Sequence, residues 1–281
     1  MLFRDGPPAK RSPPLATALA APPLESCRIS HQQRKPLSRQ NLRRITPQRR
    51  HLARMTAPWN LIADAVFPRR CASCETPLSA DEPAWCGPCE FLWTRHTTQT
   101  TQRFGMRLDW TLGITWLRLT RPEERRLVHN LKYGGNATLG IQLGKAMARE
   151  IQGSTHAPRC THWSVAPIPL HWRRQRRRGY NQSALLAAGW SHTTGAPVLD
   201  NLRRPHAGKS LTKFGRSQRI GTRKNPFVWN PEQSTVPPTT QGILFIDDVI
   251  TTGSTLERAH SAARRYWKGP LGYITMADAA R

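Results

Sequence analysis

The chain is 281 residues long, with 43 Lys and Arg against 17 Asp and Glu, a formal net charge of +26 and 38% apolar residues. That composition supports one packed core in one or two domains, but no stretch approaches the ~18 consecutive apolar residues of a membrane-spanning helix, and six cysteines are too few for a disulfide scaffold. The charge excess also argues against a chain whose only partner is a small neutral metabolite; it calls for phosphate, nucleic acid or an acidic surface.

Residues 1–54 hold 12 basic residues, two acids and eight prolines, with no sustained apolar period. Such a segment cannot bury enough apolar surface to offset its ordering entropy, so it reads as a disordered basic extension. Leu15–Ala21 is short and flanked by prolines, unlike the apolar core of a secretory signal. The Arg-rich, acid-poor composition also fits a transit peptide. Met55 opens an ordinary N-terminus of its own, so residues 1–54 equally read as an over-long start.

Residues 55–98 read as a small metal-knuckle module. Cys71-Ala-Ser-Cys74 and Cys86-Gly-Pro-Cys89 are two CxxC pairs with eleven residues between them. Zinc needs four ligands at tetrahedral corners, and each CxxC turn supplies two. Cys71, Cys74, Cys86 and Cys89 are therefore the candidate metal ligands, for a closed structural zinc site; two redox pairs or an iron–sulfur cluster are the alternatives. The knuckle is expected to be separate enough that its loss leaves residues 243–267 mostly folded. Cys27 and Cys160 have no partner motif and read as free thiols, which fits a reducing, cytoplasmic setting.

Residues 105–281 read as a larger α/β domain. Leu127 and Leu131, then Leu139, Leu143, Met147 and Ile151, mark the buried faces of two helices over 122–152, broken at Gly134-Gly135. Trp163–Ile168 reads as a buried strand ending in a Pro-x-Pro turn. From 171 to 224 the chain carries 13 basic residues and one acid, interleaved with Trp172, Tyr180 and Phe214. Like charges at that density repel unless an anion joins them, although a solvated basic face is the simpler alternative.

Ile243–Ile246 is a short continuous apolar run, as a parallel strand covered on both faces requires. Asp247 and Asp248 stand at its C-terminal end, and Thr251-Thr252-Gly253-Ser254-Thr255 leads into a helix over Leu256–Trp267 that stops at Gly269-Pro270. A loop and helix N-terminus after a strand bind phosphate through inward amides and the helix dipole. Two carboxylates beside that cradle would repel phosphate alone, but they accept hydrogen bonds from vicinal hydroxyls. The pattern therefore points to a sugar phosphate; a merely capped strand end is the alternative. Leu271–Met276 is a further strand. Alternating strands and helices give a parallel sheet with helices on both faces, and sites in such sheets form at the carboxyl ends of the strands.

The run Ile243–Thr255, ILFIDDVITTGST, resembles the phosphoribosyl-pyrophosphate (PRPP) signature of type I phosphoribosyltransferases. Together with the four cysteines, Leu131-Lys132-Tyr133, the strand Ser164–Leu170 and the segment His171–Ser183, it resembles the ComF family, linked to natural DNA uptake in bacteria, from about Pro68 to Thr275. The resemblance implies a type I phosphoribosyltransferase-like sheet preceded by the knuckle. It implies catalytic roles for Asp247 and Asp248 on ribose hydroxyls, a 5-phosphate on Thr251, Thr252, Gly253, Ser254 and Thr255, and Mg²⁺ bound with PRPP. By position Pro167, Ile168, Pro169 and Leu170 match the pyrophosphate loop. A lid is expected over Lys209–Phe227, although the family's Thr three residues before a Gln is absent, Thr212 and Gln218 being six apart. Arg178, Lys209, Arg216, Arg219 and Arg223 are the lid or basic-patch candidates. Of the cations in 173–178, Arg178 is expected nearest the pocket and the other arginines exposed. If the chain is an enzyme, it displaces pyrophosphate from the ribose anomeric carbon toward an unidentified acceptor. The alternatives are an accessory protein binding single-stranded DNA, with Trp172, Tyr180 and Phe214 stacking on bases, or a PRPP sensor without turnover; competence proteins are the implied partners.

Overall fold

Side-chain alternation along the central strands sorts the core into two halves. In the computed structural model, which describes residues 68–79, 81–93, 98–99, 109–154, 162–205 and 225–279, Leu244 and Ile246 pack into one apolar cluster and Ile243 and Phe245 into another. A strand buried on both faces reads as an unbroken apolar run for this reason. The described residues fall in the unit Thr56–Arg281; the unit Met1–Met55 lies outside them. So do the expected extension, Cys27, Cys160, Phe214 and the lid candidates Lys209, Arg216, Arg219 and Arg223.

In chain order the elements are α1 (Gly87–Trp93), β1 (Thr98–Gln99), β2 (Leu112–Arg118), α2 (Pro122–Tyr133), α3 (Ala137–Gly153), β3 (Trp163–Pro167), α4 (Trp172–Arg178), α5 (Gln182–Thr194), β4 (Leu202–Arg203), β5 (Val228–Trp229), β6 (Gly242–Ile250), α6 (Ser254–Ala263) and β7 (Leu271–Asp278). The main sheet runs β1-β2-β7-β6-β3; only β1 is antiparallel to its neighbour. Strands β4 and β5 form a separate antiparallel pair. The molecule is thus a mixed α/β fold, with a parallel sheet covered by helices on both faces.

One face carries α2, α3 and α5 through Leu127, Leu131, Leu143, Met147 and Leu186; the other carries α6 and the β4–β5 pair through Leu256, Ala259, Leu202 and Trp229. Helices α3 and α5 approach closely because Gly144 and Gly189 meet at the crossing. A Cβ on Gly189 would lie 2.1 Å from the Ile141 carbonyl oxygen, and one on Gly144 2.2 Å from that of Leu186. Helix α2 starts at Pro122, whose missing N–H costs nothing in the first turn, and the Glu124 carboxylate accepts from the Thr120 and Arg121 amides at 2.8 and 2.9 Å.

Several boundaries differ from the sequence expectation. Strand β6 does not end at Ile246: Asp247 is paired with Thr275 and Ile250 with Asp278, so both acids lie within the strand. Helix α5 extends six residues past Ala188. Helix α6 starts earlier, at Ser254, and ends at Ala263, where Arg264 turns to donate to the Gly269 carbonyl at 2.7 Å.

The cysteine knuckle is joined to the sheet, contrary to the expectation that its loss would stay local. Cys71, Cys86 and Cys89 belong to the same apolar cluster as Leu244 and Ile274. Trp85, Trp93 and Trp116 form a ladder that runs from the knuckle to β2, with a tilted first contact at 5.5 Å between centroids and an edge-to-face second at 5.8 Å. Ser73 Oγ donates to the Glu123 carbonyl (3.0 Å), Arg126 Nη1 to the Ser73 carbonyl (3.0 Å) and Asn130 Nδ2 to the Ala72 carbonyl (2.8 Å), fastening α2 along its length to the first CxxC turn.

Candidate functional site

The four cysteine sulfurs lie within 4.8 Å of one another, with Cys71 to Cys89 at 3.9 Å and Cys74 to Cys86 at 3.5 Å. Sulfurs about 2.3 Å from a tetrahedral zinc stand about 3.8 Å apart, so this set fits the ion. Cys71 Sγ also accepts from the amides of Ser73, Cys74 and Cys86, each at 3.4 Å. Burial raises the Cys86 and Cys89 thiols, so a thiolate at either needs a cation beside it; against the same desolvation, hydrogen bonds with Thr76 bring Cys74 down to about 6. The cluster can hold a metal such as zinc with all four positions filled, which suits structure rather than catalysis.

The second assembly forms at the carboxyl end of the parallel strands. Pairing of Pro167 with Ile246, and the Ile168 amide donating to the Ile246 carbonyl at 2.9 Å, bring the turn Pro167–Leu170 beside the acids. Ile168 is buried, while Pro167, Pro169 and Leu170 are half-buried. Asn181, at the start of α5, holds that turn by donating from Nδ2 to the Ile168 carbonyl at 3.0 Å.

Asp247 Oδ1 accepts from Ser183 Oγ and from the Asp248 amide, both at 2.9 Å. Desolvation, then the charge of Asp248, raises the Asp247 carboxyl to about 7; Ser183, the Asp248 amide and Lys132 pull the other way. Asp248 Oδ1 accepts from the Val249 amide at 2.7 Å, and its Oδ2 lies 3.4 Å from Lys132 Nζ. Beyond the acids, Gly253 takes φ 72°, a left-handed conformation that glycine adopts without a side-chain clash. It turns the chain so that Ser254 opens α6. Thr251, Thr252, Ser254 and Thr255 are exposed, and Thr252 Oγ1 donates to Ser254 Oγ at 3.2 Å. Asp247, Thr251, Gly253, Ser254 and Thr255 line one small depression. A wider cavity of about 360 Å³ between β5 and α6, lined by Phe227, Val228, Trp229 and Tyr266, contains neither the acids nor this loop; size therefore does not single out the site, whereas convergent carboxylates and donors do.

Arg178 is half-buried at the end of α4, while Arg173, Arg174, Arg176 and Arg177 are exposed. Its Nη1 donates to Gln182 Oε1 (3.1 Å) and its Nη2 to the Tyr133 hydroxyl (3.2 Å), with the guanidinium 4.9 Å from the Tyr133 ring centre. That contact lowers the Tyr133 phenol's pKa. Tyr180 donates its hydroxyl to the Leu131 carbonyl at 2.9 Å, so it ties α5's approach to α2. Trp172 is flanked by Arg173 and Arg176, 5.3 and 5.2 Å from its ring centre.

Sequence reasoning missed Lys132 and Ser183 as neighbours of the acids. The signal for Lys132 was available in part: Leu131-Lys132-Tyr133 is a lone basic residue at the end of an amphipathic helix whose apolar face is committed to the core.

No protein-family model matches the chain. It is 33% identical over 106 residues to competence protein F of Haemophilus influenzae, an alignment covering 36% of this chain and 44% of that protein. It is 30% identical over 140 residues to DNA utilization protein YhgH of Salmonella typhi, covering 48% and 58%. With competence protein ComFC of Bacillus subtilis it shares 33% identity over 103 residues, covering 37% and 38%. The chain spans about half the length of the first two relatives. The similarity to competence protein F, ComFC and YhgH, at about 30% identity, supports a ComF-family assignment.

Proposed function

We propose that this chain binds PRPP, or a ribose phosphate like it, as a phosphoribosyltransferase-like protein acting in natural DNA uptake. The observation that carries the reading is the continuity of the acid pair Asp247–Asp248 with the loop Thr251–Thr255 at one sheet edge, the loop closing on a helix N-terminus through left-handed Gly253. The acids accept hydrogen bonds from the ribose 2- and 3-hydroxyls, and the loop amides and hydroxyls hold the 5-phosphate. The turn Pro167–Leu170 would face the diphosphate, and a Mg²⁺ taken up with PRPP would supply neutralising charge there. Arg178 and, from the segment outside the described residues, Lys209, Arg216, Arg219 and Arg223 supply further positive charge. In a transfer reaction the bond from the anomeric carbon to diphosphate oxygen breaks, pyrophosphate leaves, and an acceptor's lone pair forms the new bond. The role in DNA uptake is supported by the similarity to competence protein F, ComFC and DNA utilization protein YhgH.

One observation favours a second use of the same chain. Helix α4 buries none of its residues and exposes four arginines around Trp172, a surface suited to a nucleic-acid backbone with stacked bases. Isothermal titration of the full chain with PRPP and Mg²⁺, beside a single-stranded DNA shift assay at two salt concentrations, separates the readings. Saturable PRPP binding is expected. Absence of PRPP binding together with DNA affinity that falls by about 0.7 log units per phosphate contact for each log unit of salt would overturn the first reading in favour of the second.

A further inference from the structure

Among the described residues the ammonium of Lys132 is the cation paired with the acids, and the proposed reading leaves it without a task. It reaches Asp248 from the last turn of α2, and both side chains are largely buried, at 23% and 16% exposed. Its charge is felt by Asp247 as well. An ammonium has three donors; among the described residues Asp248 is its ion-pair partner, and the remaining donors have no protein acceptor.

Position on the ligand then follows from covalent connectivity. In the reading above, Asp247 and Asp248 hold the hydroxyls on C2 and C3 of the ribose. C2 is bonded to C1, so a cation beside the carboxylate that holds these hydroxyls lies next to whatever C1 carries. The 5-phosphate is at the opposite end, over Thr251–Thr255. Two carboxylates would otherwise repel a diphosphate on C1; a fixed cation beside Asp248 turns that repulsion into a preference for an anionic C1 substituent.

We propose that Lys132 is a specificity-determining residue that makes the pocket select a ribose carrying an anionic group on C1 as well as a phosphate on C5, over one carrying the 5-phosphate alone. The inference rests on the sugar-phosphate reading of the Asp247–Thr255 site and adds to it a residue and a discrimination. The arrangement is maintained from outside the pocket: Asn130 and Arg126 fasten α2 to the cysteine knuckle, and Tyr180 holds the Leu131 carbonyl one residue before Lys132.

The test compares two probes differing only at C1, PRPP and ribose 5-phosphate, titrated in Mg²⁺ against the full chain and its Lys132→Met and Lys132→Arg variants, with folding checked by circular dichroism. Loss of one charge-assisted contact predicts about a 10- to 100-fold weaker PRPP affinity in Lys132→Met, an affinity for ribose 5-phosphate within about 2-fold of wild type, and substantial recovery of PRPP binding in Lys132→Arg. A residue that merely neutralised Asp248 would change both affinities by the same factor. Equal losses for both probes, or unchanged PRPP binding, would overturn the selectivity role while leaving the site intact. If Lys132→Met fails to fold, Lys132→Gln replaces it as the charge-removing variant, and an unaltered ratio of the two affinities in Lys132→Gln overturns the role. A wild-type chain that binds neither probe overturns the sugar-phosphate reading itself, and the role of Lys132 with it.

Discussion

Removing the metal from the cysteine knuckle should unfold far more than the knuckle. The three hydrogen bonds between the first CxxC turn and α2 are each worth about 1 kcal/mol net, somewhat more for the one from Arg126. Trp93, 1% exposed in α1, bridges Trp85 and Trp116, and losing such a buried aromatic contact costs about 3–5 kcal/mol. A sum near 6–8 kcal/mol approaches the whole stability of a typical domain, about 5–15 kcal/mol. The purified protein should therefore carry about one zinc per chain, and a strong chelator should abolish or sharply lower a single cooperative melt followed by both circular dichroism and tryptophan fluorescence. Asn130→Ala should lower stability by about 1 kcal/mol with the metal still bound. Two separate transitions, or a helical signal whose melting is unmoved after a metal indicator has registered full zinc release, would refute this coupling.

Three other outcomes follow from single residues. Asp247 is raised to about 7 in the folded chain, so between roughly pH 4 and pH 7 the folded state holds a proton that the unfolded chain has released; stability falls as pH rises through that window. The urea midpoint of wild type relative to Asp247→Asn should thus decline from pH 5 to pH 8, and an increasing difference would contradict the assigned direction. Gly253→Ala must hold φ 72° with a Cβ, which costs about 1–2 kcal/mol and should weaken phosphate binding; an unchanged urea midpoint and affinity would show that the loop tolerates another turn. Gly189→Ala drives a Cβ against the Ile141 carbonyl and should cost about 3 kcal/mol by separating α3 from α5; a denaturation midpoint equal to wild type would refute the tight crossing.

Legibility in the sequence followed the range of the interaction. Helices over 122–152 and the strands around 243 and 271 were readable because apolar periodicity is local, and the residues expected on the buried faces of α2 and α3 are buried. The end of β6 was misjudged because Asp247 and Asp248 break the apolar run, although the ladder to β7 needs only backbone groups and continues through them. Helix α4 was visible as charge but not as a helix, since seven residues with no buried face carry no period. Ser183 and Lys132 escaped notice because their acid partners are distant in sequence and meet them only when α5 and α2 pack on the same sheet face. Tyr180 is legible in the sequence only as a stacking candidate of the single-stranded-DNA alternative; that its hydroxyl anchors the end of α2 depends on the packing of α2 beside α5. The knuckle was recognised from its spacing, whereas its union with the sheet depends on tryptophans whose contacts no spacing reveals.

The central claim is that Asp247 and Asp248 bind the hydroxyls of a ribose phosphate held at Thr251–Thr255. Titration of wild type, Asp247→Asn and Asp248→Asn with PRPP in Mg²⁺ tests it most directly. Each variant should keep the wild-type circular dichroism and lose about 1.5–3 kcal/mol of binding free energy, roughly a 10- to 150-fold weaker affinity. Unchanged PRPP affinity in both folded variants would contradict the account.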